Sequence, residues 1–342
     1  VIVTYFRSSS YNSWDFCAHK YFLSYVLGLP DRPHNNKADM GNAVHKALEL
    51  LARKKLAEQE GEPTFTEDET GTEFDTASFS VEDAIEAAWA YIKKKAPHWE
   101  WNTADYRRHR KLTFAALEWD NGMFNPLNRT VLCPEQKFDF VIDQPWAHYD
   151  YELPDGKRLQ GQLAMKGTVD LVLSVDGMPD VVEYCDWKTG ARMDWSTGKK
   201  KDYQKLRNDP QLRMYHWALS KLYPNARSII ITIFFVADGG PYSLPFNQED
   251  LAKTEAMLKR RFEVIRECDN PRRIKPDRKC SWCWYDKTIY GDTNQTVCDH
   301  IKQELVHIGI NRVTEKYGNA SAYLHYGEGG GRSAKPNEET PA

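Results

Sequence analysis

The segment Gly167–Gly190, GTVDLVLSVDGMPDVVEYCDWKTG, constrains the fold more than any other part of the chain. Two alternating, β-branched runs flank Asp176-Gly177, a dipeptide suited to tight turns, and so predict a β-hairpin. Side chains two apart on a strand share a face, so Asp186 and Lys188 point the same way, with Asp170 on the partner strand. Parity then imposes a condition. A plain two-residue turn at Asp176-Gly177 pairs Asp170 with Glu183 and sends it to the face of Cys185, away from Asp186. Pro179, which lacks a ladder donor, argues against tight pairing. Bringing the two aspartates together requires an odd-length turn or a bulge.

Two carboxylates and a lysine on one face suit metal-assisted phosphodiester hydrolysis. That reaction calls for a hard cation to polarise phosphate and acidify water. Mg2+ is usually held by one or two carboxylates, while a lysine adds positive charge and orients the water. A bare Asp-x-Lys on a hairpin is more often a surface ion pair, so the rest of the chain decides.

Helical spacing predicts helices over 9–29, 41–59, 210–223 and 248–268, and over 81 to about 122 with a break near Pro97. Alternation predicts strands at 130–133 and 137–142, and the run Ser228 to Val236 reads as a buried strand. Residues 61–80 are polar and acidic and read as a loop. Residues 271–300 are Cys-, Trp- and Arg-rich and irregular, and the Gly/Pro/Glu-rich tail from Gly327 reads as disordered. The 342 residues are 41% hydrophobic, enough for a sizeable core, and their net charge of −3 announces no nucleic-acid partner. Local basic runs (Arg107–Lys111, Lys199–Lys201, Arg272–Lys279) are compatible with a basic groove hidden in that total. No apolar window spans a membrane, and the start lacks the pattern of a signal peptide. A cytoplasmic setting, in a bacterial or phage-infected cell, is expected. Seven cysteines in a reducing compartment point to metal or cluster ligation before disulfides. There is no G-x-x-x-x-G-K-[ST] loop, which argues against a motor ATPase.

GTVDLV followed by DWKTG resembles the PD-(D/E)XK nuclease superfamily, and more closely its RecB-like and CRISPR-associated exonuclease branch. Gly41-Asn42-Ala43-Val44-His45 looks like the family's upstream helix, whose His is a metal ligand. Gln211-Leu212-Arg213-Met214-Tyr215 looks like its downstream Q-x-x-x-Y helix, with Asp209 and Pro210 a suitable cap and first turn. Glu135, before the strand KFDFVI, is a looser match to a further acidic position. The resemblance implies an α/β, restriction-endonuclease-like core: a central mixed sheet flanked by helices, with a helical insertion and a Cys-rich C-terminal region. It implies N-terminal helices of the nuclease domain over 1–60, the insertion over 61–128, the core over 129–270, a cluster region over 271–310 and a disordered tail over 327–342. The implied function is Mg2+- or Mn2+-dependent hydrolysis of DNA, from an end, in recombination, repair or phage replication, with recombination or replication proteins as partners. His45, Asp170, Asp186 and the Trp187 carbonyl would ligate metal. Lys188 would position water, Gln211 and Tyr215 the substrate strand, and Glu135 would complete the catalytic set.

Cys17 with Cys280, Cys283 and Cys298 resembles the 4Fe-4S staple of the same branch, although the gap from Cys283 to Cys298 exceeds the short family spacing. Zinc held by Cys268, Cys280, Cys283 and Cys298 is the rival. Cys133 and Cys185 read as buried free thiols. A non-catalytic DNA-binding or recombination module that keeps the fold is the alternative from another functional class.

Overall fold

The structure, a computed structural model, describes residues 1–30, 36–153, 155–194, 198–272 and 279–319. The expected tail from Gly327, and Arg273, Lys275 and Arg278 of one basic run, lie outside the described residues. The chain divides into two compact units, Val1–Pro33 with Phe138–Gly167 and Ala252–Ala342, and His34–Lys137 with Thr168–Leu251. Among the described residues, no helix is long and apolar enough to cross a membrane.

The second unit carries the candidate site. Its main elements are α1 (Asn36–Glu60), α2 (Val81–Lys95), α3 (Thr103–Glu118), β1 (Val131–Val141), β2 (Ala164–Val175), β3 (Met178–Lys188), α4 (Pro210–Leu222), β4 (Ser228–Phe235) and β5 (Gly240–Phe246). The sheet is mixed: β1 pairs with β2, β2 runs antiparallel to β3, β3 parallel to β4, and β4 antiparallel to β5. Parallel neighbours need a crossover, and α4 supplies it between β3 and β4. Asp209 caps α4 by accepting from the Gln211 N–H at 3.0 Å, and Pro210 opens its first turn, which leaves no N–H wasted there.

Helix α1 buries Val44, Leu48 and Leu51 in one cluster with Leu171, Leu173, Cys185, Trp187 and Phe234 of the sheet. Tyr215 of α4 packs against Tyr184, whose parity on β3 is opposite to that of Cys185 and Trp187. The two helices thus cover opposite faces of the sheet. Helix α2 begins with a Ser80–Asp83 capping box and α3 with one from Asn102 to Asp105, which sharpens the break expected near Pro97. The segment read as a loop over 61–80 contains a short hairpin, Thr64–Thr66 with Glu73–Asp75. Strand β5 escapes sequence reading because Pro241 and Pro245 interrupt it. It ends the order of paired strands, where prolines without ladder donors are tolerated.

In the first unit, helices Ser8–Phe16 and Ala18–Tyr21 and the π-turn Phe22–Val26 replace the single helix expected over 9–29. A hairpin of His148–Glu152 and Arg158–Gln162 and a helix over Val297–Tyr317 were not expected. Gly309, at φ 76°, breaks the regularity of that helix and with it the periodic signal. His19 ties the N-terminal helices to later chain, its ring nitrogens lying 3.2 Å from Pro271 O and 3.1 Å from Cys298 O. The Tyr285 hydroxyl adds a bond to Leu29 O at 2.8 Å.

Candidate active site

Register decides whether the carboxylates meet. Leu171 faces Cys185 and Ser174 faces Val182, but Val175 faces Met178. Between the last two pairs β2 advances one residue and β3 four, so Pro179, Asp180 and Val181 form the irregularity that parity required. Extending the pairing from Leu171–Cys185 by one step sets Asp170 opposite Asp186, on the face that also carries Tyr184 and Lys188.

The carboxylates are held differently. Asp170 Oδ2 lies 3.2 Å from His45 Nδ1 and accepts the Trp187 backbone N–H at 3.2 Å. Burial pushes the Asp170 carboxyl above the ordinary carboxylate range; His45 and Lys188 pull against this and Asp186 adds to it. Asp186 is 1% exposed. Its Oδ1 accepts from the Tyr184 hydroxyl at 2.7 Å and from Lys188 Nζ at 2.9 Å. Its Oδ2 lies 2.7 Å from Nζ yet receives no aligned hydrogen bond. Burial pulls Lys188 down, but Asp186 and Asp170 outweigh it and hold the ammonium above the usual lysine range. The side chain remains 35% exposed, so the charge can reach an incoming anion.

Glu135 joins from β1, which the looser match did not secure. Its φ of 48° lies in the left-handed region, inside an otherwise extended strand and directly after Pro134. Burial pushes its carboxyl up to about 8, with Asp170 and then Glu49 adding and Lys46 and Arg53 opposing. Those neighbours form a charged network that sequence reading missed. Lys46 Nζ lies 2.7 Å from both Glu49 and Glu67, and Arg53 lies 2.8 Å from Glu49 and 2.7 Å from Asp68. The Lys46–Glu49–Arg53 spacing on α1 is visible in the sequence, whereas the partners from the acidic loop are not.

On α4, Gln211 Nε2 donates to the Tyr215 hydroxyl at 3.0 Å. Burial pushes the Tyr215 phenol up to about 12, with Asp186 adding and Lys188 opposing. Trp187 contributes only backbone here, because its side chain is buried in the core cluster on the other face.

The chain's best match to a family model covers residues 8–288 of 342, and the model is that of the PD-(D/E)XK nucleases. The chain belongs to the PD-(D/E)XK nuclease superfamily. The PD-(D/E)XK match takes in the hairpin, α1 and α4 together. Among solved structures, the chain is similar to an inferred exonuclease from Eubacterium rectale, with 12% identity and a TM-score of 0.46, over 87% of this chain and 92% of that one. It is also similar to SSO0001, with 17% identity and a TM-score of 0.27, over 72% of this chain and 96% of that one. At such scores neither likeness bears on activity. No curated protein matches the sequence.

Among the described residues, no group of three or more His, Cys, Asp or Glu side chains is already arranged around a metal position. The donor set still fits a divalent cation of the Mg2+ or Mn2+ kind. Two carboxylates and an imidazole converge, and Asp186 Oδ2 is buried without a hydrogen bond.

The cysteines belong to the first unit. Cys17, Cys280, Cys283 and Cys298 line one cavity with Phe16, Lys20, Leu23 and Asp286. Cys17 ends the helix Ser8–Phe16, Cys280 and Cys283 bracket a single 3-10 turn, and Cys298 is the second residue of its helix. The cavity is small, about 10 Å³. Burial pushes the Cys283 thiol up, with Lys20 opposing and Cys17 adding, which places these groups near one another. Cys268, a ligand in the zinc alternative, does not line this cavity; its carbonyl accepts from the Val1 amine at 2.6 Å.

Proposed function

We propose that this chain is a Mg2+- or Mn2+-dependent deoxyribonuclease that degrades DNA from an end. The observation that carries the reading is the pairing of Asp170 with Asp186 across an irregular hairpin, with one carboxylate oxygen left without a hydrogen bond. Asp170, Asp186 and His45 would hold the ion, with the Trp187 carbonyl as a further ligand. When bound, the ion supplies the charge that polarises a phosphodiester and acidifies water. Lys188 presents a fixed ammonium to the anionic phosphate and orients the water. Glu135 completes the acidic set, and Gln211 and Tyr215 flank the substrate strand. Recombination, repair or phage replication is the setting that the sequence resemblance favours, and it places the chain in the RecB-like branch.

The same resemblance favours a 4Fe-4S cluster on Cys17, Cys280, Cys283 and Cys298. What supports it is the convergence of these four thiols, with Cys17 rather than Cys268 at the cavity. Four thiolates are the usual ligand set of such a cluster.

The deciding experiment incubates the protein with end-labelled linear and closed circular DNA, single- and double-stranded, with Mg2+, Mn2+ or EDTA. Cleavage of linear DNA only, abolished by EDTA, is expected. Asp186→Ala and Lys188→Ala should each abolish cleavage while leaving DNA binding largely intact. Binding without cleavage by the wild-type protein would support the non-catalytic alternative instead, and wild-type-like cleavage by either variant would overturn the site.

A further inference from the structure

We infer that Tyr184 is a positioning residue for Asp186: its hydroxyl occupies Oδ1 and so keeps Oδ2 open to a divalent cation. The inference rests on the metal-site reading above and deepens it.

Three side chains on one face of β3 make the argument. Tyr184 is fully buried and donates to Oδ1 at 2.7 Å, and Lys188 donates to the same oxygen at 2.9 Å. Lys188 Nζ also lies 2.7 Å from Oδ2, without hydrogen-bond alignment. The ammonium is therefore already close to both oxygens. An ammonium straddling both would satisfy the carboxylate and compete with any metal ion for it. Two donors sharing Oδ1 draw the carboxylate to one side, and a partner of this kind fixes a ligand's orientation. Tyr184 is itself braced. Its ring meets the Tyr215 ring edge-on at 5.3 Å, and Tyr215 accepts from Gln211 at 3.0 Å. The Gln211–Tyr215 pair thereby acts on Asp186 through Tyr184, in addition to any direct contact with a DNA strand.

The test compares wild type with Tyr184→Phe, which removes one oxygen and keeps the ring. Mn2+ binding is measured by calorimetry on the full chain without DNA, and cleavage of linear DNA is measured as a function of Mn2+ concentration. Binding should weaken by about 10- to 100-fold, and the Mn2+ concentration for half-maximal cleavage should rise in step. Most cleavage should return at saturating Mn2+. In a Lys188→Met background, where no ammonium competes, Tyr184→Phe should change Mn2+ affinity by about twofold or less. Equal affinity of wild type and Tyr184→Phe overturns the inference, as does an undiminished effect in the Lys188→Met background. Should Tyr184→Phe not fold, the tyrosine ultraviolet difference spectrum of wild type on Mn2+ addition is the readout, and no change overturns the inference. A wild-type protein that neither binds Mn2+ nor cleaves DNA would instead remove the metal-site reading itself.

Discussion

At the residue scale, Glu135 and His216 make opposite points about burial. Glu135 holds a left-handed backbone, φ 48°, that costs a non-glycine residue on the order of 1 kcal/mol. Glu135→Gly should therefore leave thermal stability equal or slightly higher while reducing cleavage. Urea melts and initial rates on the same samples check this, and a drop in both would make Glu135 structural. His216 shows what burial does without a catalytic partner. Its ring stacks on Phe246 at 5.0 Å, and its Nδ1 is buried without a hydrogen bond. Burial pushes the imidazole down to about 4, with Asp250 opposing and Arg213 and Arg207 adding. The unfolded chain gains a proton as pH falls through about 6.5, while the folded ring stays neutral down to about 4. The folded state then binds fewer protons, so stability declines between those values, by up to about 3 kcal/mol. His216→Phe should flatten this part of the profile. The check is the wild-type minus variant difference in urea midpoints at several pH values, and a difference independent of pH would refute it.

At the element scale, two backbone devices bring the site together. One is the irregular hairpin, whose three extra residues on β3 reverse the parity set by Asp176-Gly177. The need for that reversal was legible in the sequence, and Pro179 marked its place. Its length was not, because pairing to β4 fixes where β3 resumes, with Ser228 opposite Val181. The other device is Gly41. A Cβ there would stand 3.0 Å from Thr189 Oγ1, one residue beyond Lys188. Glycine costs a helix interior about 1 kcal/mol relative to alanine, and here it permits the end of β3 to approach α1. Gly41→Ala should preserve or raise the melting temperature, yet lower cleavage by on the order of tenfold through displacement of Thr189 and its neighbour Lys188. Adding Thr189→Ala should restore most of the lost rate. Failure of that second change to rescue would show that the close approach is not the cause.

At the scale of the whole molecule, Cys17 and Cys280 stand 263 residues apart in the chain and line one cavity. Closing so long a loop restricts the unfolded chain strongly, although the cost grows only as about (3/2)RT ln n. Ligand binding by residues unassembled in the unfolded chain contributes directly to folding. Cys17→Ser should therefore lose bound metal and melt several degrees lower, whereas Cys268→Ser should do neither. Anaerobic purification, iron and zinc analysis and thermal melts test this. Brown, iron-containing wild-type protein supports the cluster, and colourless zinc protein indicates zinc on the same thiols. Full metal content in Cys17→Ser would refute the staple. His19 and Tyr285 already join the same segments by hydrogen bonds, so the variant should lose stability without losing its fold.

The sequence alone determined what is periodic or local. Alternation predicted β2 and β3, helical spacing predicted α1 and α4, and Asp209-Pro210 marked where α4 starts. These are near-neighbour properties, set by side-chain direction and backbone propensity. Tertiary structure decided what depends on distant partners. The proline-bearing strand β5 exists because the exposed side of β4 offers it a ladder. Glu135 leaves the β region where Asp170, Glu49, Lys46 and Arg53 converge around it. Tyr184 reads as one more strand aromatic until register puts its hydroxyl on Asp186. Asp170, Asp186 and Lys188 could be named from the sequence, but which carboxylate oxygen is open to a cation was set by packing, because hydrogen-bond direction is fixed only when every neighbour is in place.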